Sequence, residues 1–209
     1  MSVKNCNLFK YITKKNIVIL GIFIINKDVK RKSIKIKVAG KIYKPRYLFK
    51  KSNYFLMIKE IINSIPNDLK DKVIVLPHPL INEYLKENEL NKYLIETPIY
   101  DKILKQTKLL ITDYSSIACD AFYRGTNVIF WWKEKDECME QYSGHLCLNE
   151  NNVFGDICYN KEQLKKVVEK NYNEKQPEEY IKNYMKIVEF NDGNNTKRII
   201  EKMKQDKIL

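Results

Sequence analysis

A polar turn between two apolar runs is the segment of this sequence best suited to chemistry. Residues 109–111 are apolar, and the run ends in Thr112, Asp113, Tyr114, Ser115 and Ser116. Where such a turn opens a helix, free backbone N–H groups and serine hydroxyls point toward the same space. These donors, with the positive end of the helix dipole, suit a phosphate. The turn therefore predicts binding of a nucleotide or another phosphorylated molecule.

Two further polar residues extend this candidate site. His78, between two prolines, follows the apolar run 73–76, and Asp120 lies four residues after Ser116. An imidazole facing a bound diphosphate can donate a hydrogen bond to a phosphate oxygen or protonate a leaving group. A carboxylate at 120, on the same helix face as Ser116, can accept hydrogen bonds from ribose hydroxyls.

Structural roles for these residues stay open at this point. His78 can be a structural residue at a strand end, and Ser115 can be a helix cap. Asp113 can be a turn residue and Asp120 a favourable charge near a helix N-terminus. The other histidine, His145, follows a glycine in a predicted loop, and we expect a non-catalytic role for it.

The elements that must position these residues alternate between strands and helices. Apolar runs predict strands at 17–25, 34–38, 73–76, 109–111 and 128–132. Helical spacing and capping residues predict helices that begin after Ser52, at Pro98, after the 112–116 turn, after Asn160, at Pro177 and at Thr196. Such alternation predicts an α/β fold, a Rossmann-like parallel sheet with helices on both faces. Because ligands bind outside the carboxyl ends of such strands, His78 and the 112–116 turn are predicted to meet at one edge.

The charge is concentrated at the N-terminus. Residues 1–60 carry 16 Lys/Arg and two acidic residues, whereas 61–209 carry 22 basic and 24 acidic residues. We therefore divide the chain into a basic N-terminal segment (1–60), in the same sheet or facing a membrane, and a nucleotide-diphosphate-binding domain (61–209). A solvated lysine-rich surface and an anionic-lipid-binding face are both compatible with this charge. No nucleic-acid recognition motif accompanies it, so no nucleic-acid partner is expected.

The sequence lacks the motifs that are typical of several classes of enzyme. The sequence has no G-x-G-x-x-G, no Walker loop, no Asp-x-Asp and no Gly-x-Ser-x-Gly. The five cysteines are odd in number, which favours reduced thiols, and Cys138, His145, Cys147 and Cys158 match no zinc spacing. We therefore expect neither a metal nor a resident cofactor. The remaining chemistry is a transfer in which histidine and helix-terminus electrostatics stabilise a diphosphate leaving group.

The sequence resembles the CDP-glycerol:poly(glycerophosphate) glycerophosphotransferases, which include teichoic-acid polymerases and primases. The resemblance is carried by residues 110–117 and 120–122, continues through 128–130, 142–144, 190–193 and 198–200, and covers about residues 73–203. It implies the C-terminal, donor-binding half of a GT-B architecture.

The resemblance also assigns roles by position. Thr112, Ser115 and Ser116 would hold the CDP diphosphate, and Asp113 is a further candidate there. His78 would contact the donor phosphate and assist departure of CMP, and Asp120 would bind the nucleotide sugar. Arg198 matches a family arginine for which we assign no role. The implied reaction transfers glycerol phosphate, or a related polyol or sugar phosphate, to a growing teichoic-acid-like or capsular polymer.

The N-terminal region departs from the family pattern. The polymerases have a full N-terminal domain whose histidine is thought to act as base, whereas residues 1–60 contain no histidine. The resemblance thus implies a donor site without its acceptor half: either a partner chain completes it, or the chain is a fragment or a reduced relative with little turnover. It also implies a cytoplasmic protein, peripheral at the inner face of the plasma membrane, with an anionic or lipid-linked acceptor.

Other functions stay open from the sequence. One is a nucleotide-binding half-enzyme without catalysis, and another is half of a GT-B glycosyltransferase that uses a UDP-sugar. A third is a basic membrane-docking protein with a vestigial pocket.

Overall fold

A computed structural model of the chain describes residues 15–20, 36–38, 41–43, 53–77, 89–95, 98–136, 139 and 147–209. The strands are β1 (Asn16–Leu20), β2 (Ile36–Val38), β3 (Lys41–Tyr43), β4 (Val73–Leu76), β5 (Thr107–Thr112), β6 (Asn127–Trp131) and β7 (Asp156–Cys158). The α-helices are α1 (Asn53–Ser64), α2 (Tyr100–Gln106), α3 (Ile117–Tyr123), α4 (Lys161–Asn173), α5 (Glu178–Ile187) and α6 (Asn195–Gln205). One 3₁₀ turn, Asn67–Lys72, directly precedes β4, and another, Glu89–Tyr93, follows β4 later in the chain.

Five strands form one parallel sheet in the order β4-β1-β5-β6-β7. β2 and β3 pair separately as a short antiparallel hairpin. The strands of the sheet are apolar and largely buried, as expected of a parallel sheet covered on both faces. The predicted α/β fold is confirmed.

Alternate residues of each strand enter two core layers on opposite faces of the sheet. Ile17, Leu109 and Ile129 pack with α1 and α4, whereas Val18, Leu110 and Val128 pack with α2, α3 and α5. Burial alternates in this way because successive side chains of a strand point to opposite faces. α6 contributes no buried residue.

The strand order places a topological switch point between β1 and β5, and the sheet edge at the carboxyl ends of these two strands is called the crevice below. β1 is followed along the chain by α1, on one face of the sheet, whereas β5 is followed by α3 on the other face. Neighbouring strands whose helices leave on opposite sides form the topological switch point, where ligands of open α/β sheets bind. This crevice borders the turn that follows Thr112.

The N-terminal region contributes to this sheet. β1 lies between β4 and β5, and α1 runs through the division we drew between residues 60 and 61. The part of the predicted strand 17–25 beyond Leu20 lies outside the described residues. A stretch of residues 1–60 is therefore built into the core of the phosphate-turn domain.

One predicted helix begins later than expected. The sequence places the start at Pro98, with Ile99 facing inward, whereas α2 begins at Tyr100. Ile99 is the N-cap with an extended backbone, φ −97° and ψ 96°, so its side chain leaves the helical face and is 61% exposed. The inward positions of Ile103 and Leu104 are confirmed.

The N-terminus of α4 follows its sequence signal. The Asn160 side chain accepts a hydrogen bond from the Gln163 backbone N–H at 3.0 Å. The Gln163 side chain accepts one from the Tyr159 backbone N–H at 2.7 Å. This reciprocal arrangement differs from an ideal capping box only in that Gln163 reaches one residue further back.

Candidate functional site

The turn after β5 is closed by its own aspartate. Oδ1 of Asp113 accepts a hydrogen bond from the Ser115 backbone N–H at 3.2 Å, and the aspartate is only 3% exposed. The carbonyls of Ser115 and Ser116 accept from the N–H groups of Ala118 and Cys119, which begins α3. The predicted turn role of Asp113 is confirmed.

The serine hydroxyls are not used to cap α3. Ser116 is the N-cap residue, its backbone is already helical, and its side chain makes no capping hydrogen bond. Ser115 is half-buried and Ser116 exposed. A cap role for the Ser115 side chain is therefore wrong, and both hydroxyls remain available at the end of the crevice.

Thr112 is the most unusual residue of the site. Its side chain is fully buried, and its Oγ1 atom has no hydrogen-bond partner among the described residues. A buried hydroxyl without a partner costs about 1–3 kcal/mol, which proteins seldom accept without a use for the group. Thr112 is the last residue of β5, so this hydroxyl lies at the carboxyl edge of the sheet, on one of the two strands that form the switch point.

Trp132, directly after β6, contacts the turn in two ways. Its indole Nε1–H donates to the Asp113 backbone carbonyl at 3.3 Å. Its ring is stacked with that of Tyr114, with 5.7 Å between centroids and 16° between planes. The Trp132 side chain is 1% exposed, so it supports the turn from beneath.

An ion pair covers the same indole. The Lys135 ammonium lies 5.3 Å from the Trp132 ring centroid and pairs with the Glu150 carboxylate. The Tyr159 hydroxyl donates to the same carboxylate at 2.9 Å. The hydrogen bond from Lys135, with smaller help from a backbone N–H and from Tyr159, lowers the pKa of Glu150 to about 2.

The remaining candidates lie in different settings. Asp120 is exposed in the first turn of α3. Arg198, on α6, donates to both carboxylate oxygens of Asp192, at 2.8 and 2.6 Å, and lies 3.9 Å over the Phe190 ring. The hydrogen bonds from Arg198 hold the pKa of Asp192 well below its usual range. Arg198 therefore has a defined local role in joining α6 to the preceding turn.

His78 lies outside the described residues, which end at Pro77 in this part of the chain. The two strands whose ends were predicted to meet at this edge, β4 and β5, are not neighbours in the sheet. β1 lies between them, with Ile19 opposite both Val75 and Ile111. Two strand spacings put β4 and β5 about 10 Å apart. A ligand that contacts the ends of both strands must cross the end of β1.

Among the described residues, no group of three or more His, Cys, Asp or Glu side chains is arranged to hold a metal ion. Cys138 and His145 of the disfavoured zinc set lie outside them. Cys119, Cys147 and Cys158 are free thiols, and burial raises the pKa of Cys158 to about 12. No helix in the described part of the chain is long and apolar enough to cross a membrane.

The apolar pattern predicts Trp132 only as the last residue of a strand and does not predict its contact with the turn. A signal was present, because Trp132 ends the apolar run next to the run that carries Thr112. Carboxyl ends of parallel strands share one edge, and a buried indole N–H needs an acceptor.

Comparison with known proteins agrees with the observed fold. Among curated proteins, the minor teichoic acid biosynthesis protein GgaB of Bacillus subtilis (strain 168) is 27% identical over 171 residues, covering 75% of this chain and 18% of GgaB. Two structures of the wall teichoic acid polymerase TagF share the fold. One has a TM-score of 0.55 at 17% identity, covering 92% of this chain and 43% of that one. A TagF variant has a TM-score of 0.59 at 18% identity, covering 92% and 44%. The chain thus spans less than half the length of these relatives.

The family match extends further toward the N-terminus than the motifs we identified. Residues 8–205 match the family described as CDP-Glycerol:Poly(glycerophosphate) glycerophosphotransferase, whereas the motifs covered about 73–203. This agrees with the position of β1 inside the sheet. The chain belongs to the CDP-glycerol:poly(glycerophosphate) glycerophosphotransferase family.

Proposed function

We propose that this chain binds the CDP-activated donor in a glycerophosphate transfer that extends a cell-envelope polymer of the teichoic-acid or capsular type. The observation that carries the proposal is the topological switch point between β1 and β5. There, β5 ends at a turn with two uncapped serine hydroxyls and the buried, unpartnered hydroxyl of Thr112. Membership of the glycerophosphotransferase family supports CDP-glycerol, or a related CDP-polyol, as the donor.

Each residue has a defined task in this proposal. Thr112, Ser115 and Ser116 donate hydrogen bonds to the diphosphate. Asp120, exposed one turn into α3, accepts hydrogen bonds from the ribose hydroxyls of the nucleotide. His78 donates to the phosphate that leaves with CMP. Because about 10 Å separates β4 from β5, the donor lies across the end of β1 to reach both His78 and the turn.

The proposed reaction is a direct phosphoryl substitution. An acceptor hydroxyl oxygen attacks the phosphorus of the glycerol phosphate group. The bond between that phosphorus and the oxygen shared with CMP breaks, and CMP departs with its electron pair. The hydroxyl proton passes to a base, which we assign to a partner chain supplying the acceptor half. Hydrogen bonds from the turn and from His78 stabilise the charge that develops on the leaving phosphate.

A turnover experiment tests this function. The chain is mixed with CDP-glycerol and a lipid-linked glycerophosphate acceptor, with and without an acceptor-half protein of the family, and CMP release is measured. We expect release that His78→Ala lowers at least 100-fold, the usual scale of a lost general acid. His145→Ala is the control, because it removes the other histidine, and should leave the rate unchanged. Equal rates in the wild type and His78→Ala would contradict the role of His78.

Two other outcomes would redirect the proposal. CDP binding without CMP release, even with the acceptor half, would indicate a nucleotide-binding module. Tighter binding of UDP than of CDP would indicate a UDP-sugar glycosyltransferase. CDP-ribitol and CDP-glycerol compared in the same assay identify the polyol.

We also propose that the basic residues 1–60 hold the protein against the inner face of the plasma membrane. Their charge of +14 favours anionic lipid headgroups. Flotation with vesicles of phosphatidylglycerol, compared with phosphatidylcholine, tests this. We expect binding only to the anionic vesicles, with loss on replacing lysines of residues 27–37 by glutamine. Equal binding to both kinds of vesicle would contradict this membrane-binding proposal.

A further inference from the structure

The Asp113–Ser116 turn lies against a side chain from the neighbouring strand end. Trp132 contributes both a hydrogen bond to the Asp113 carbonyl and a stacked ring beneath Tyr114. The carbonyl of Asp113 belongs to the same peptide plane as the N–H of Tyr114. The indole hydrogen bond therefore restrains the orientation of the first peptide of the turn.

Trp132 is itself held in place. Its backbone N–H donates to the Cys158 carbonyl at 2.9 Å, and its ring contacts that of Phe130 at 5.7 Å between centroids. Lys135 covers the indole and is paired with Glu150. A ring that is 1% exposed and contacted by these groups has little rotational freedom. It can transmit this rigidity to the turn.

We propose that Trp132 is a positioning residue for the donor, acting through the Asp113–Ser116 turn; this rests on the proposed function. The indole keeps the turn in the conformation that presents the Ser115 and Ser116 hydroxyls. Without it, the turn samples more conformations, and binding must also order it, which weakens affinity. The effect falls on donor binding, because the buried indole contacts the turn that presents these hydroxyls.

The neighbouring residue gives a matched control. Trp131 is equally buried at 1% exposure, but it lies in the opposite core layer with α1 and α4. Its Nε1 has no hydrogen-bond partner among the described residues. Trp131→Phe and Trp132→Phe thus remove the same atoms at adjacent positions, and only the second removes a bond to the turn.

The experiment uses calorimetric titration of the full 209-residue chain with CDP. We expect Trp132→Phe to raise the Kd about three- to tenfold, as loss of one hydrogen bond predicts, and Trp131→Phe to leave it unchanged. The chain has two tryptophans, so each variant isolates the fluorescence of the other. We expect CDP to change Trp132 emission in Trp131→Phe and to leave Trp131 emission unchanged in Trp132→Phe.

The outcomes separate this proposal from the function on which it rests. A wild-type chain that fails to bind CDP overturns both. If the wild type binds but Trp132→Phe has the same Kd, the positioning role is wrong and the donor site stands. If Trp132→Phe does not fold, the emission of Trp132 in the Trp131→Phe variant provides the test. A change in this emission on adding CDP supports the positioning role of Trp132, and an unchanged spectrum overturns it.

Discussion

Thr107 and Thr112 lie at the two ends of β5, both fully buried, with opposite hydrogen-bonding states. Oγ1 of Thr107 donates to the Ile103 carbonyl at 2.8 Å, whereas Oγ1 of Thr112 has no partner in the described part of the chain. The satisfied hydroxyl lies at the amino edge of the sheet and the unsatisfied one at the crevice. Thr107 therefore has a structural hydrogen bond that Thr112 lacks.

Replacing each of these threonines by valine should therefore have opposite effects on stability and on CDP affinity. Thr107→Val removes a buried hydrogen bond and should lower the free energy of unfolding by about 1 kcal/mol, with CDP affinity unchanged. Thr112→Val removes an unpartnered hydroxyl and should leave stability equal or higher, while CDP binding weakens. Urea unfolding and calorimetry measure the two quantities. Equal loss of stability in both variants would show that the Thr112 hydroxyl is satisfied in the folded chain.

Asp113 should act on the turn through the geometry of its side chain. Asp113→Asn keeps an oxygen that can accept from the Ser115 N–H, so CDP affinity should be retained or improved as a negative charge is removed. Asp113→Ala loses the acceptor and should weaken CDP binding about three- to tenfold. Calorimetry compares the three proteins. Weakening by Asp113→Asn as large as that by Asp113→Ala would indicate that the charge is required.

The Lys135–Glu150 pair should make a pH-dependent contribution to stability. Because the pKa of Glu150 is lowered from 4.5 to about 2 in the folded chain, the pair's contribution is fully present above about pH 4.5. It is lost as the pH falls toward 2. The difference in urea midpoint between the wild type and Glu150→Gln should therefore shrink over that window. Because the pair is at the surface, we expect a small difference at pH 7. A difference that grows in acid would contradict the pairing.

Gly155 is required by close packing against β6. A Cβ atom at this position would lie 2.1 Å from the Val128 carbonyl oxygen, which belongs to the backbone and cannot move aside. Gly155→Ala should cost about 3 kcal/mol of stability. Gly193→Ala is the control, because Gly193 has φ +74° and no atom within 4 Å of its Cβ. It should cost about 1 kcal/mol from backbone strain alone. Equal, small losses in urea unfolding would contradict the close approach.

The sequence predicts local elements well where the residues that determine them lie close together in the chain. β4 has the predicted bounds, and the cap at Asn160 forms as expected because both partners lie within four residues. The turn at Asp113 follows for the same reason. The predicted start of α2 was wrong by two residues, because proline is tolerated both in the first turn of a helix and in the extended segment before it.

Long-range pairing was the part that sequence could not supply. The insertion of β1 between β4 and β5 depends on contacts across more than fifty residues, and no local pattern encodes strand order. The hydrogen bond from Trp132 to Asp113 needs only that β5 and β6 are neighbours, so the sequence carried a signal for it that strand order does not limit. The short strand β7 was missed because three residues carry too little alternation to recognise.

The central claim is that a CDP-linked diphosphate binds at the turn after β5, and calorimetric titration of CDP into the full chain tests it most directly. We expect saturable 1:1 binding to the wild type and at least tenfold weaker binding to Ser115→Ala/Ser116→Ala. Ser64→Ala is the control, because its hydroxyl bonds within α1 to the Glu60 carbonyl, and its affinity should match the wild type. A wild type that does not bind CDP, or a double variant that binds equally well, would contradict the account.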